Sequence, residues 1–217
     1  MSIFYWRELN NTPITPGVYA WYYKPEINLC DQNKIIEDIN RLKMEGNKQE
    51  AMHAVRDFLH NNIFRFFYEE PYKVEMKGPL KPKYEGEIEH KFNVSDTLVE
   101  RIVNDPQRFS TIKRVLELSV PDFASPIYIG MSERLRTRLL QHKELIERYA
   151  SQVSPFRESN VSDGDQRDHS FAHAIRVRNI TPTRLFVIIH ELSDLDDSYI
   201  DIENILNRIH YPLLGRN

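Results

Sequence analysis

Apolar positions along the chain change period several times, and each change marks an element. Gly17–Tyr23 reads GVYAWYY after Thr15-Pro16, an aromatic-rich run that predicts a strand. Residues 31–45 then place Ile35, Ile36, Ile39 and Leu42 at helical spacing. Asn47 followed by Glu50 reads as a capping box for a second helix carrying Met52, Val55, Phe58 and Leu59. Tyr72, Val74 and Met76 alternate with charged residues, which predicts one strand, and residues 77–83 (KGPLKPK) read as a loop. Ser95 stands where it would cap a short helix with Leu98 and Ile102; Pro106 opens another with Phe109, Ile112, Val115 and Leu116.

The last third of the chain alternates strand and helix. Residues 126–130 (PIYIG) predict a short buried strand, followed from about Ser132 by a helix with Leu135, Leu139 and Ile146 on one face. Residues 154–169 are polar and read as an exposed loop, and 169–177 as a helix. A strand over 184–192 and a helix over 198–210 follow; the helix has an apolar stripe of Ile202, Ile205, Leu206 and Ile209 and ends before Pro212. The pattern predicts an α+β fold: a small antiparallel-containing sheet flanked by helices, built from residues 1–24 and 125–217. Residues 25–124 form a mainly helical insertion between its first two strands.

Composition narrows the class. The single cysteine, Cys30, excludes an internal disulfide framework and fits a reducing compartment. No basic-then-apolar leader opens the chain and no apolar run reaches membrane-spanning length, so a soluble, cytoplasmic protein without a membrane partner is expected. The net charge of −3 argues against a protein that coats nucleic acid without specificity. Charge is nevertheless uneven. Residues 134–143 (RLRTRLLQHK) contain Arg134, Arg136, Arg138 and Lys143 and no acid, whereas 191–203 contain Glu191, Asp194, Asp196, Asp197, Asp201 and Glu203 and no base. Over 24–125, sixteen basic residues stand against eighteen acidic ones, so the insertion is not a basic domain.

Taken singly, the chemistry-bearing residues have structural explanations. Tyr19 and Tyr128 sit in apolar strands, Arg138 and His142 fit the wet side of an amphipathic helix, and Glu203 flanks an apolar stripe. Their order is more specific. Gly17-Val18-Tyr19, then Tyr128-Ile129-Gly130, then Arg138 ten residues beyond the second tyrosine, resembles the GIY-YIG nuclease family. Leu135, His142 four residues after Arg138, the segment Phe171-Ala172-His173-Ala174-Ile175, and Glu203-Asn204-Ile205-Leu206 before His210-Tyr211-Pro212 extend the resemblance. It covers residues 15–24 and 126–217. The chain departs from the family in two ways: about a hundred residues separate the two signature strands, and Gly215 stands where many members have asparagine, with Asn217 two positions on.

The resemblance implies a restriction-type DNA endonuclease that hydrolyses phosphodiester bonds with Mg²⁺ or Mn²⁺. Its catalytic set would be Tyr19, Tyr128, Arg138, His142, Glu203 and Asn217. Glu203 would hold the metal, since Mg²⁺ keeps most of its water and takes few protein ligands. Arg138 would fork across two phosphate oxygens. Arg134, Arg136 and Lys143 would contact double-stranded DNA. Either tyrosine fits the role of positioning or deprotonating the nucleophilic water, provided a nearby cation lowers its pKa from about 10. Two other classes stand beside this one: a nucleic-acid-binding protein that kept the fold without the chemistry, and an RNA-directed nuclease. For the insertion, DNA reading and a structural or partner-binding role both remain open.

Overall fold

The computed structural model describes residues 2–68, 71–79, 81–89, 93–151, 171–192 and 199–215. Four strands, β1 (Ser2–Tyr5), β2 (Gly17–Tyr23), β5 (Tyr128–Ser132) and β6 (Leu185–Glu191), form one antiparallel sheet in the order β1-β6-β2-β5. The first five residues of β6, Leu-Phe-Val-Ile-Ile, are all buried, as expected of an inner strand covered on both faces. β2 is the other inner strand, pairing with β6 from Gly17↔Glu191 to Tyr23↔Leu185 and with β5 from Gly17↔Ser132 to Trp21↔Tyr128. The two signature strands are therefore antiparallel neighbours. Strand β1 is an element the hydrophobic pattern does not announce, because four residues, two half-buried and two exposed, are too few to establish a period.

Alternation sorts the side chains of this sheet onto two faces. Phe186 and Ile188 share one face with Tyr22 and pack there with Val120, Ala124 and Ile3. The opposite face carries Tyr19, Trp21, Tyr23, Tyr128 and Val187 by register. Helix α5 (Leu135–Ser151) and the helical residues 171–177, here α6, lie against that face: Trp21 and Tyr128 both meet Phe171. The α+β class with a small antiparallel sheet thus stands. The expected loop over 154–169 and the start of the helix at His169 lie outside the described residues.

The chain separates into two compact units, residues 1–25 with 116–217, and residues 26–115. The second unit contains α1 (Leu29–Met44), α2 (Lys48–Asn62) and α3 (Asp96–Asn104), and the boundary falls inside α4 (Arg108–Phe123). Its core is built from Ile35, Ile39, Val55, Leu59, Val99 and Ile102, with Phe58 meeting Phe109 edge to face. Asn28 caps α1 by accepting from the Cys30 N–H at 2.8 Å. Gly46, at φ 77°, occupies the left-handed position after α1 that a side chain would strain. The capping box expected at Asn47 does not form: Asn47 precedes α2, but its side chain makes no cap bond, and neither does that of Ser95 before α3.

Two further expectations need correction. Residues 77–78 and 81–83 are not a loop, because they belong to β3 (Tyr72–Gly78) and β4 (Lys81–Ile88), which pair antiparallel; residue 80 lies outside the described residues. In a two-stranded ribbon each strand has an open edge, so Pro82 can occupy β4 although it has no N–H to donate. The apolar stripe on α7 (Tyr199–His210) is not buried throughout: Ile205 and Ile209 are exposed. The helix nevertheless packs against β5 and β2. It ends at His210, and Tyr211 after it adopts φ 45°, a left-handed conformation that cannot continue the helix.

Gly17 begins β2 where no side chain fits. A Cβ there would stand 2.4 Å from the His190 carbonyl oxygen, which is backbone and cannot turn aside. Gly17→Ala should destabilise the protein by about 1–3 kcal/mol, the usual range for overpacking. Urea unfolding checks this, and an unchanged midpoint would mean that β2 and β6 are less tightly paired than described.

Candidate functional site

The two signature tyrosines meet because the β2–β5 register puts them on one face. Tyr19 stands opposite Gly130, and Tyr128 opposite Trp21. The Tyr19 and Tyr128 rings stack with centroids 6.3 Å apart. Gly130 makes the arrangement possible: a Cβ at that position would lie 2.6 Å from the Tyr19 hydroxyl and 3.0 Å from the Tyr128 ring. The glycine of the second triplet is thus a consequence of the tyrosine in the first.

His142 completes the cluster from α5. The buried stripe of this helix is Leu135, Leu139, His142, Ile146 and Tyr149, spaced four, three, four and three residues apart. His142 therefore belongs to the core face and not to the wet side, which corrects the simpler reading of the sequence. It is fully buried, and its Nε2 shares a 2.8 Å hydrogen bond with the Tyr19 hydroxyl. The rings of Tyr19, Trp21, Tyr128 and Phe171 surround it with centroids 5.3–6.2 Å away. Burial, reinforced by the Arg138 charge one turn earlier, pushes its pKa from 6.5 down to about 3. The imidazole is neutral near pH 7.

The basic run 134–143 divides between two sides of α5. Arg136 and Lys143 are seven residues apart and share a side. The Arg136 Nε donates to the Thr12 carbonyl at 2.5 Å, and the Lys143 ammonium lies 5.6 Å from the centre of the Trp6 ring. Arg134 and Arg138 instead line an open cleft of about 340 Å³ with Met131, Ser132, Glu133, Thr137 and Gln141. Two of the first amides of the helix are already taken: Leu135 N–H donates to the Thr15 carbonyl and Arg136 N–H to that of Pro13. An anion in this cleft would be held chiefly by side chains.

Glu203 lies half-buried on α7, the helix that packs against β5 and β2. One turn later on the same helical face is Asn207, a residue the sequence reading does not single out. Its amide oxygen is buried and has no hydrogen-bond partner among the described residues. That oxygen and the Tyr128 ring both lie 3.6 Å from the point where Gly215 would carry a Cβ. The i, i+4 spacing from Glu203 was the available signal. The segment after α7 is tied to β5 by the Leu214 N–H bond to the Ile127 carbonyl, 2.7 Å long. Asn217 lies outside the described residues.

Tyr19, Tyr128 and His142 are thus in direct contact, and Arg138 is close enough for its charge to act on His142. Glu203 is carried by a helix packed on the strand of Tyr128. Among the described residues no three His, Cys, Asp or Glu side chains converge on one point, and no helix is long and apolar enough to cross a membrane. Compared with family models, curated proteins and solved structures, the chain has no match in any of the three.

The depressed His142 pKa makes stability depend on pH. Between about 3 and 6.5 the unfolded chain binds a proton at His142 that the folded chain refuses. Stability is therefore complete above about 6.5 and falls with acidification, by about 1.4 kcal/mol per pH unit. His142→Gln should flatten the pH dependence of the urea midpoint between pH 6.5 and 4. Parallel slopes in the two proteins would contradict a buried neutral imidazole.

Proposed function

We propose that the chain is a divalent-metal-dependent endonuclease of the GIY-YIG type, acting on phosphodiester bonds of DNA. The observation that carries this reading is the Tyr19–His142 hydrogen bond within the stacked Tyr19–Tyr128 pair, formed across the β2–β5 register beside the Arg138 cleft. Two phenols, an imidazole and a guanidinium, one from β2 and three from residues 128–142, are gathered on one side of the sheet. A core that needed only to be apolar would not bury a histidine and a phenol at the expense of their hydration.

Phosphodiester hydrolysis needs a placed water, charge neutralisation at phosphorus and help for the leaving oxygen. Arg138 lines the open cleft and has the planar fork that binds two phosphate oxygens at once. Neutral His142 fixes the direction of the Tyr19 hydroxyl and is a poor store for a proton, because protonating it means charging a fully buried ring. Tyr128 is 7% exposed against 1% for Tyr19, so burial favours Tyr128 as the phenol that meets the water. The donor set fits Mg²⁺ or Mn²⁺ in its sparse mode: one carboxylate, Glu203, with the buried Asn207 amide one turn away on the same face. When bound there, such an ion neutralises developing charge on the phosphate oxygens.

The direct test incubates the purified protein with plasmid DNA and with structured RNA, with and without Mg²⁺. Metal-dependent nicking or linearisation of the plasmid is expected; cleavage of RNA alone, or of neither, would overturn the reading. Glu203→Gln should abolish cleavage while leaving the unfolding midpoint nearly unchanged, since the side chain is only half-buried. Wild-type cutting by that variant would remove Glu203 from the site. Arg138→Lys keeps the charge and loses the fork, so turnover should fall about 100-fold or more, as when one transition-state donor is deleted. A turnover within a few-fold of wild type would show that Arg138 acts as a point charge only.

A further inference from the structure

The cleft beside β5 contains two arginines, and a single reacting phosphate needs only one of them. Arg134, just before α5, and Arg138 in its first turn are four residues apart, an advance of about 6 Å along the helix axis, and both line the same open space. Among the described residues the Arg134 guanidinium has no ion-pair partner, and its backbone N–H is satisfied by the Ser132 hydroxyl at 3.0 Å. Ser132, Thr137 and Gln141 add hydroxyl and amide groups to the lining, Glu133 a carboxylate and Met131 a thioether. No aromatic side chain lines it, so the cleft offers nothing on which a base would stack. It suits a sugar–phosphate backbone.

We infer that this cleft seats two consecutive phosphates of one nucleic-acid strand, with Arg138 at the scissile phosphate and Arg134 at its neighbour. The inference rests on the phosphodiester reading and adds to it a register for the strand, which runs along the first turns of α5. Successive phosphates of a strand rise about 3.4 Å along the duplex axis. Because the strand also winds about that axis, their separation in space is larger and approaches the one-turn spacing of the two arginines. Arg136 and Lys143 belong to the other side of the helix, engaged with Thr12 and Trp6, and take no phosphate.

Counterion release counts the phosphates without requiring cleavage. Each phosphate neutralised on a duplex contributes about 0.9 to the slope of log K against log salt. The protein, its Arg134→Ala and Arg138→Ala variants, the double variant and Lys143→Ala would be titrated against a fluorescein-labelled 20-base-pair duplex in Ca²⁺ at several salt concentrations. Each arginine variant should lose about 0.9 from the slope, the double variant about 1.8, and Lys143→Ala nothing. A double variant that loses no more than either single one would mean that both arginines clamp one phosphate, which overturns the inference and leaves the nuclease reading intact. An Arg134→Ala slope equal to that of the unsubstituted protein, or a Lys143→Ala loss matching it, would overturn the inference too. Absence of measurable duplex binding by the unsubstituted protein would sink this inference and the DNA reading together.

Discussion

The hydrogen bond between Tyr19 and His142 links the strand, the helix and the chemistry of the site. It joins β2 to α5 through groups that are both almost completely removed from solvent. A buried phenol and a buried imidazole each lose hydration, and the loss is recovered only if the two meet at bonding distance. The position of α5 on the sheet is therefore constrained at that point, and Arg138, one turn earlier, is constrained with it. The same requirement forces a glycine at 130, because the phenol passes where a Cβ would sit. Removing Tyr19 leaves the His142 imidazole buried among the rings of Trp21, Tyr128 and Phe171 without that bond.

Electrostatics near this bond is governed by burial more than by charge counting. Arg138 lies close enough to disfavour the imidazolium, yet desolvation is the larger influence, so His142 stays neutral through the physiological range. The basic stretch 134–143 illustrates the same point from outside. Its four cations look alike in one dimension, but helical geometry sends two toward the open cleft and two toward the 3₁₀ turn Trp6–Asn11 and the residue after it. What separates the pairs is direction and not exposure, since Arg136, Arg138 and Lys143 are all half-buried and Arg134 is exposed.

The long excursion between β2 and β5 is tolerated for an entropic reason. The closure cost of a loop rises only with the logarithm of its length, about 0.6 kcal/mol for each doubling, and a segment with its own core is less open than a free coil. Residues 26–115 have such a core, formed by α1, α2 and α3. Pairing of β2 with β5 and β6 is in turn specified by a buried register, since a shift of one residue would turn Tyr19 and Trp21 to the face now occupied by Tyr22.

Much of the architecture was legible in one dimension because its elements are long or strongly periodic. The runs at 17–23 and 184–192 announce strands, and the spacing of Ile35, Ile39 and Leu42 announces α1, since burial of one face requires that period. The α+β class follows from these signals and their order, whereas the pairing of the two signature strands is read from the register. Tertiary contacts decided the rest. The four residues of β1 become a strand only because β6 offers an edge, and 81–88 becomes one only because β3 pairs with it. His142 looked like a surface residue until the sheet placed Tyr19 opposite it. Ile205 and Ile209 looked buried, but burial is a property of what lies across from a helix and not of the helix itself. Asn207 carried no signal beyond its spacing from Glu203, because an unpartnered amide oxygen exists only once Gly215 and Tyr128 have been brought against it.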